Sequence, residues 1–133
     1  MQSGVAVDTC VLIEFMRAKD KSKTLYAKLA FNRIPLFIST IVLFEVRAGL
    51  NESNRACLLG LLRKIVCLPL DIRTAEIAAD LSIMLRKSRI QVESSDLFIA
   101  ATAIVHKIPL ATLNRKHFER IEGLVFFDEN VIG

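Results

Sequence analysis

Three carboxylates in this chain have the residue type and setting to hold a divalent cation together: Asp8, Glu45 and Asp96. Asp8 directly follows the apolar run Gly4-Val5-Ala6-Val7, with Thr9 behind it. Glu45 lies in Ser39-Thr40-Ile41-Val42-Leu43-Phe44-Glu45-Val46, a stretch with no other charge. A carboxylate flanking a buried face needs a cation or a donor, because an uncompensated buried charge is very costly. Asp96 stands after Ser94 and Ser95, ahead of the apolar Leu97-Phe98-Ile99-Ala100-Ala101. Hard divalent cations such as Mg2+ and Mn2+ take oxygen ligands of this kind in number and keep positions open for water and phosphate. Each acid also has a plainer explanation. Asp8 and Asp96 could each cap a helix, since Asp is a preferred N-cap, and Glu45 could pair with Arg47.

The elements around these residues decide whether they can meet. Gly4–Val7, Leu36–Ile38, Val66–Leu68 and Pro109–Thr112 are short, apolar runs of the kind found in strands buried on both faces, and Leu124–Phe127 reads as a last strand. Helical spacing joins Val42, Val46, Gly49 and Leu50; Leu58, Leu61, Leu62 and Ile65; and Leu97, Ala100, Ala101 and Ile104. A longer helix carrying Ile77, Leu81 and Met84 follows Asp71. Strands alternating with helices predict an α/β domain, a mainly parallel central sheet of four to five strands covered on both sides. In such sheets ligands bind beyond the carboxyl ends of the strands. Asp8, Glu45, Asp96 and Asn114 all fall at or just after strand-to-helix transitions, so one cleft can collect them.

With 133 residues, 53% hydrophobic and 24% charged, the chain reads as a single domain over 1–133, folded throughout. No apolar run approaches the roughly 18 residues of a membrane span, and Met1-Gln2-Ser3-Gly4 does not look like a signal peptide. A cytoplasmic protein with no membrane partner is expected. Cys10, Cys57 and Cys67 sit in apolar stretches without C-x-x-C spacing and are expected to be reduced core thiols. The formal charge of +4 favours a polyanionic partner.

The same residues resemble a known family, the PIN-domain nucleases. Val7-Asp8-Thr9-Cys10-Val11-Leu12-Ile13 is similar to the opening motif, an apolar strand followed by Asp-Thr/Ser. Ile38-Ser39 through Glu45 to Leu50 resembles the second motif, a Ser at the strand end with Glu on the next helix. Asp96-Leu97-Phe98-Ile99-Ala100-Ala101 resembles the third, and Thr112-Leu113-Asn114-Arg115-Lys116-His117-Phe118 leading to Gly123-Leu124 resembles the fourth. The four motifs in order cover nearly the whole chain, and the likeness is nearest to VapC-type toxins of toxin–antitoxin pairs. It implies a three-layer α/β/α PIN-like fold and a Mg2+- or Mn2+-dependent endoribonuclease. Such a toxin is usually a homodimer and is held inactive by a cognate antitoxin. By the same resemblance Asp8, Glu45 and Asp96 match the acidic metal ligands. Thr9 and Ser39 match polar positions that line or orient the site, and Asn114 falls where many members carry Asp.

Two features depart from the family pattern. Asn114 and His117 leave no carboxylate in the fourth motif, which favours a single ion, and Ser88-Arg89-Ile90-Gln91-Val92-Glu93 lacks an expected Gly. The Asn also keeps a second reading open, a catalytically silent PIN-like domain that binds RNA or a protein partner. Glu93 is a further acid near the cleft. Arg86, Lys87, Arg89, Arg115 and Lys116 are candidates to hold flanking RNA. His106 is expected at a helix end and His117 on a surface helix, while Phe15, Phe31, Phe37, Phe44, Phe98 and Phe118 are expected in core and interface. The apolar content exceeds what one core needs, so the face of Leu58, Leu61, Leu62 and Ile65 is expected to be exposed for pairing.

Overall fold

The computed structural model of the protein describes residues 4–49 and 51–132. Four strands form its sheet: β1 (Val5–Val7), β2 (Leu36–Ser39), β3 (Val66–Leu68) and β4 (Leu110–Ala111). Six helices accompany them: α1 (Thr9–Arg17), α2 (Leu25–Phe31), α3 (Thr40–Ala48), α4 (Arg55–Leu62), α5 (Ile72–Lys87) and α6 (Ser94–His106). All strand pairs are parallel, and the order is β3-β2-β1-β4. The first strand therefore lies inside the sheet, which is why all three of its residues are buried. From β1 the connections build the sheet first to one side, through β2 and β3, and then to the other, at β4, and this is the switch point where such sheets open a crevice. Asp8 leaves β1 at that point, and its N–H donates to the carbonyl of Ala111 in β4 at 3.0 Å.

The predicted strand Leu124–Phe127 joins the sheet only through one parallel bridge, between Phe126 and Leu110. The sheet is thus four strands with an irregular fifth segment beside β4, and Pro109–Thr112 shrinks to a two-residue strand. A short extended segment without a full ladder cannot be told from a strand by composition alone.

Helix ends follow their sequences. Asp8, Ser39 and Asp71 cap α1, α3 and α5 through their side-chain oxygens. Asp96 is no cap: Glu93 occupies that position and Asp96 lies inside the first turn of α6, where an acid suits the helix dipole. At the other ends, Arg33, Arg89 and Lys107 take left-handed backbone angles, with φ near 56°, 57° and 55°. Each closes its helix with the paired hydrogen bonds of a Schellman motif; Ile90 N–H reaches Leu85 O at 2.9 Å and Arg89 N–H reaches Arg86 O at 3.0 Å. Non-glycine residues adopt this conformation at a cost of about 1–2 kcal/mol. Arg89 stands in the segment that lacked the expected Gly, and the turn needs a left-handed residue there all the same.

Several expectations about burial are corrected. Leu58, Leu61 and Ile65 belong to the core, at 0%, 6% and 8% exposure, so the face of Leu58, Leu61, Leu62 and Ile65 is no open pairing surface. A helix of eight residues that packs on a sheet edge presents the same periodicity as one left free, so spacing could not separate the cases. Phe31 and Phe44 are exposed, whereas Phe118 is fully buried. Cys67 is exposed, because β3 is an edge strand, while Cys10 and Cys57 are half-buried. Leu50 lies outside the described residues.

Candidate active site

Asp8 is buried, and every contact it makes fixes its orientation. Its Oδ1 accepts the N–H of Thr9 at 2.8 Å, which starts α1. Its Oδ2 accepts the hydroxyl of Thr112 at 2.8 Å and the Cys10 thiol at 3.4 Å. A carboxylate oxygen has about two acceptor positions, so Oδ2 is filled by two donors and Oδ1 keeps one open.

Glu45 reaches the same rim from α3. The alternative pairing with Arg47 does not form; instead Thr9 donates its hydroxyl to Glu45 Oε1 at 2.6 Å. This length is typical of a charge-assisted O–H···O− bond. Thr9 thus connects two acids that are 36 residues apart along the chain. Ser39 spends its hydroxyl on the N–H of Val42 at 3.1 Å, starting the helix that carries Glu45, so its part is to set that helix in place.

Asp96 approaches from α6. Its carboxyl is pushed above the usual carboxylate range, first by burial and next by the charge of Asp8; Glu45 and Glu93 push the same way, and His117 opposes them. The charges of Asp8, Glu45 and Glu93 thus all act on Asp96 in the same direction. Asp96 also meets His117, with Nδ1 3.6 Å from Oδ2, the only ion pair among the described residues. His117 sits on a short 3-10 turn, Arg115–His117, and not on the helix that was expected.

Two positions were missed by reading the sequence. Thr112 holds Asp8 directly and accepts the N–H of Asn114 at 3.0 Å. Cys10 accepts the N–H of Leu113 at 3.3 Å while its thiol, raised in pKa by burial and by Asp8, leans on Asp8. Both ties follow from β1 lying beside β4, which no local pattern reveals. Asn114 is exposed and makes no side-chain cap to the turn it precedes, so its amide is not used for capping. Arg115 is occupied elsewhere: it donates to the carbonyl of Phe127 at 3.1 Å and lies 4.7 Å over the Phe126 ring, pinning the C-terminal segment.

The donors fit a hard cation in kind, being carboxylate oxygens held in place by hydroxyls. Among the described residues no three Asp, Glu, His or Cys side chains close on a common point, so the cluster is loose as it stands.

The family model described as PIN domain matches residues 5–124 of the chain. This chain belongs to the PIN-domain family. Within it, Ribonuclease VapC of Rickettsia bellii is 34% identical over 129 residues, covering 91% of this chain and 92% of that protein. Ribonuclease VapC19 of Mycobacterium tuberculosis is 32% identical over 118 residues, covering 89% and 94%. The toxin–antitoxin VapBC assembly of Salmonella typhimurium, solved bound to DNA, contains a chain that superposes with a TM-score of 0.81 at 25% identity, covering 94% of this chain and 97% of that one. The PIN domain so defined includes Asp8, Glu45, Asp96, Asn114 and His117 and stops short of Phe126 and Phe127. It is a VapC-type PIN domain with an Arg-anchored tail. Among the described residues no helix is long and apolar enough to cross a membrane.

Proposed function

We propose that this protein is a Mg2+- or Mn2+-dependent endoribonuclease and the toxin of a toxin–antitoxin pair, acting in the cytoplasm. The reading is supported by the Thr9 hydroxyl that ties Glu45 to the residue next to Asp8 at 2.6 Å, and by the Asp8 and Glu45 charges that, after burial, raise the pKa of Asp96. The names of the relatives, ribonuclease VapC, support the activity. Asp8 and Asp96 would hold the cation, with Glu45 as a further ligand or as a base acting through water. A bound Mg2+ or Mn2+ supplies charge neutralisation at the scissile phosphate and makes water more acidic. The chain's own residues prepare the rest. Thr9 fixes the position of the Glu45 carboxyl by donating to Oε1, where that group would take a proton from an attacking water. Thr112 and Cys10 hold Asp8, so its orientation does not depend on the ligand. Cleavage of a mixed RNA pool by the purified protein in Mn2+, abolished by EDTA, is the expected result. RNA bound without cleavage under any divalent ion would favour a silent PIN-like domain instead.

The partner reading follows from the same charge. An acidic rim attracts Arg, whose planar fork suits two carboxylate oxygens, so a cognate antitoxin is expected to lay a basic side chain against Asp8 and Asp96. The VapBC complexes among the structural relatives support such a partner. A homodimer is proposed as well. Its apolar surface is not the one first expected: Phe44 on α3, Val66 on β3 and Ile72 on α5 stand 69%, 55% and 80% exposed. Sedimentation should give a dimer at micromolar concentration, and a monomer at hundreds of micromolar would count against it.

Asn114 gives a separate test of which residues face the cation. Asn114→Asp adds a negative charge with little change in volume. If the side chain faces the site, Mn2+ binding should tighten by about 1 kcal/mol, the size of a water-screened charge a few ångströms away. Titration calorimetry reads this directly. Equal affinities would remove Asn114 from the site.

A further inference from the structure

We propose that the open groove between the Arg89–Glu93 loop and the Lys116–Arg120 segment carries single-stranded RNA away from the acids, with Arg89, Lys116 and Arg120 holding its phosphates. The inference rests on the nuclease reading above and deepens it. The groove measures about 630 Å³ and is continuous with the site, because Asp96 and His117 line it together with these three cations. Its acids are Glu93, Asp96 and Glu119. Glu93 and Asp96 stand at the start of α6, beside the proposed cation. Three cations therefore line the groove with three carboxylates, and with Asp96 assigned to the proposed metal ion the cations outnumber the remaining acids, which suits a phosphate backbone. Ile90 and Val92 add apolar lining against which sugars and bases can lie. A phosphodiester placed at Asp96 must continue in some direction, and this groove opens from that residue.

The backbone supplies an independent observation. Arg89 occupies a left-handed position, φ 57°, that glycine fills without strain. Arg33 and Lys107 share this geometry, and a basic residue at a helix C-terminus suits the dipole wherever it occurs. What separates Arg89 is where it stands. Lys107 borders a different, apolar cavity beside Gly123 and Val125, and Arg33 ends α2 in the open. Arg89 alone of the three borders the groove that contains Asp96. Of the other cations considered for RNA, Arg115 is tied to Phe127 and Phe126 and is unavailable.

The experiment measures binding apart from cleavage. A fluorescent 12-nucleotide single-stranded RNA of mixed sequence is titrated with the full-length Glu45→Gln protein in Mg2+, at several salt concentrations. Added to that parent, Arg89→Gly should weaken binding about threefold to tenfold and reduce the salt slope by about 0.7, the value for one single-strand phosphate contact. Its melting temperature should equal or exceed that of the parent, because glycine fits the left-handed turn. Arg89→Lys should stay within about twofold of the parent. Arg33→Gly makes the same backbone change away from the groove and should leave RNA affinity unchanged. Lys116→Ala and Arg120→Ala should each weaken binding as Arg89→Gly does. The proposal is overturned if Arg89→Gly binds as the parent does, if Arg33→Gly weakens binding equally, or if the parent does not bind this RNA. Binding that depends on Arg89 in a protein whose wild type never cleaves RNA would sustain the groove and remove the nuclease reading.

Discussion

Asp96→Asn should lower Mn2+-dependent RNA cleavage by on the order of a hundredfold or more while making the metal-free protein more stable at neutral pH. The first effect follows if Asp96 holds the cation, since losing a ligand removes charge neutralisation at the phosphate. The second follows from the direction of its pKa. Burial and the charge of Asp8 hold the folded-state carboxyl above its ordinary value, so the native state binds that proton more tightly than the unfolded chain does. Stability then falls as pH rises from the unfolded value through the raised folded value. At neutral pH the full penalty is present, and Asn removes it. Thermal unfolding in EDTA should therefore show the variant melting above wild type at pH 7, with the gap closing towards pH 4. A variant that melts lower at pH 7, or that cleaves RNA at the wild-type rate, would contradict the assignment of Asp96.

The other two acids should lose activity alike but differ in stability. Glu45→Gln keeps an acceptor for the Thr9 hydroxyl and should fold normally. Asp8→Asn must turn an NH2 group towards either the Thr9 N–H or the Thr112 and Cys10 donors. A buried donor facing a donor costs about 1–3 kcal/mol, so this variant should be less stable as well as inactive.

The largest effect on folding is expected at Phe118. It is fully buried, and truncating a buried Phe to Ala costs about 3–5 kcal/mol from lost burial and the cavity left behind. That is a large share of the stability of any small domain. Phe118 also closes the turn that carries Asn114 and His117, its N–H donating to Arg115 O at 2.9 Å. Phe118→Ala should therefore lower the urea midpoint strongly, and Phe118→Leu much less because most of the volume is kept. A midpoint within experimental error of wild type for Phe118→Ala would mean that this turn is not anchored by the core.

Sequence alone determined the architecture and singled out three acids as candidates. Alternating apolar runs and helical spacing are local signals, and they place β1, β2, β3, α3, α5 and α6 where the structure has them. The position of an acid at a strand end is local too, which is why Asp8, Glu45 and Asp96 could be selected and why Asp8 could also be foreseen as a cap. Strand order is not a local property. That β1 lies between β2 and β4 decided that Thr112 would hold Asp8 and that Thr9, not Arg47, would be the partner of Glu45. The same holds for burial: the periodicity of Leu58, Leu61 and Ile65 marks an apolar face, and only packing says that the protein covers it itself. The Gly that the family pattern implied before Asp96 is absent, and the chain makes a left-handed turn there with Arg89 instead. Apolar period and strand-end chemistry are written into neighbouring residues, while hydroxyl-to-carboxylate contacts spanning 36 and 104 positions exist only once the sheet has brought them together.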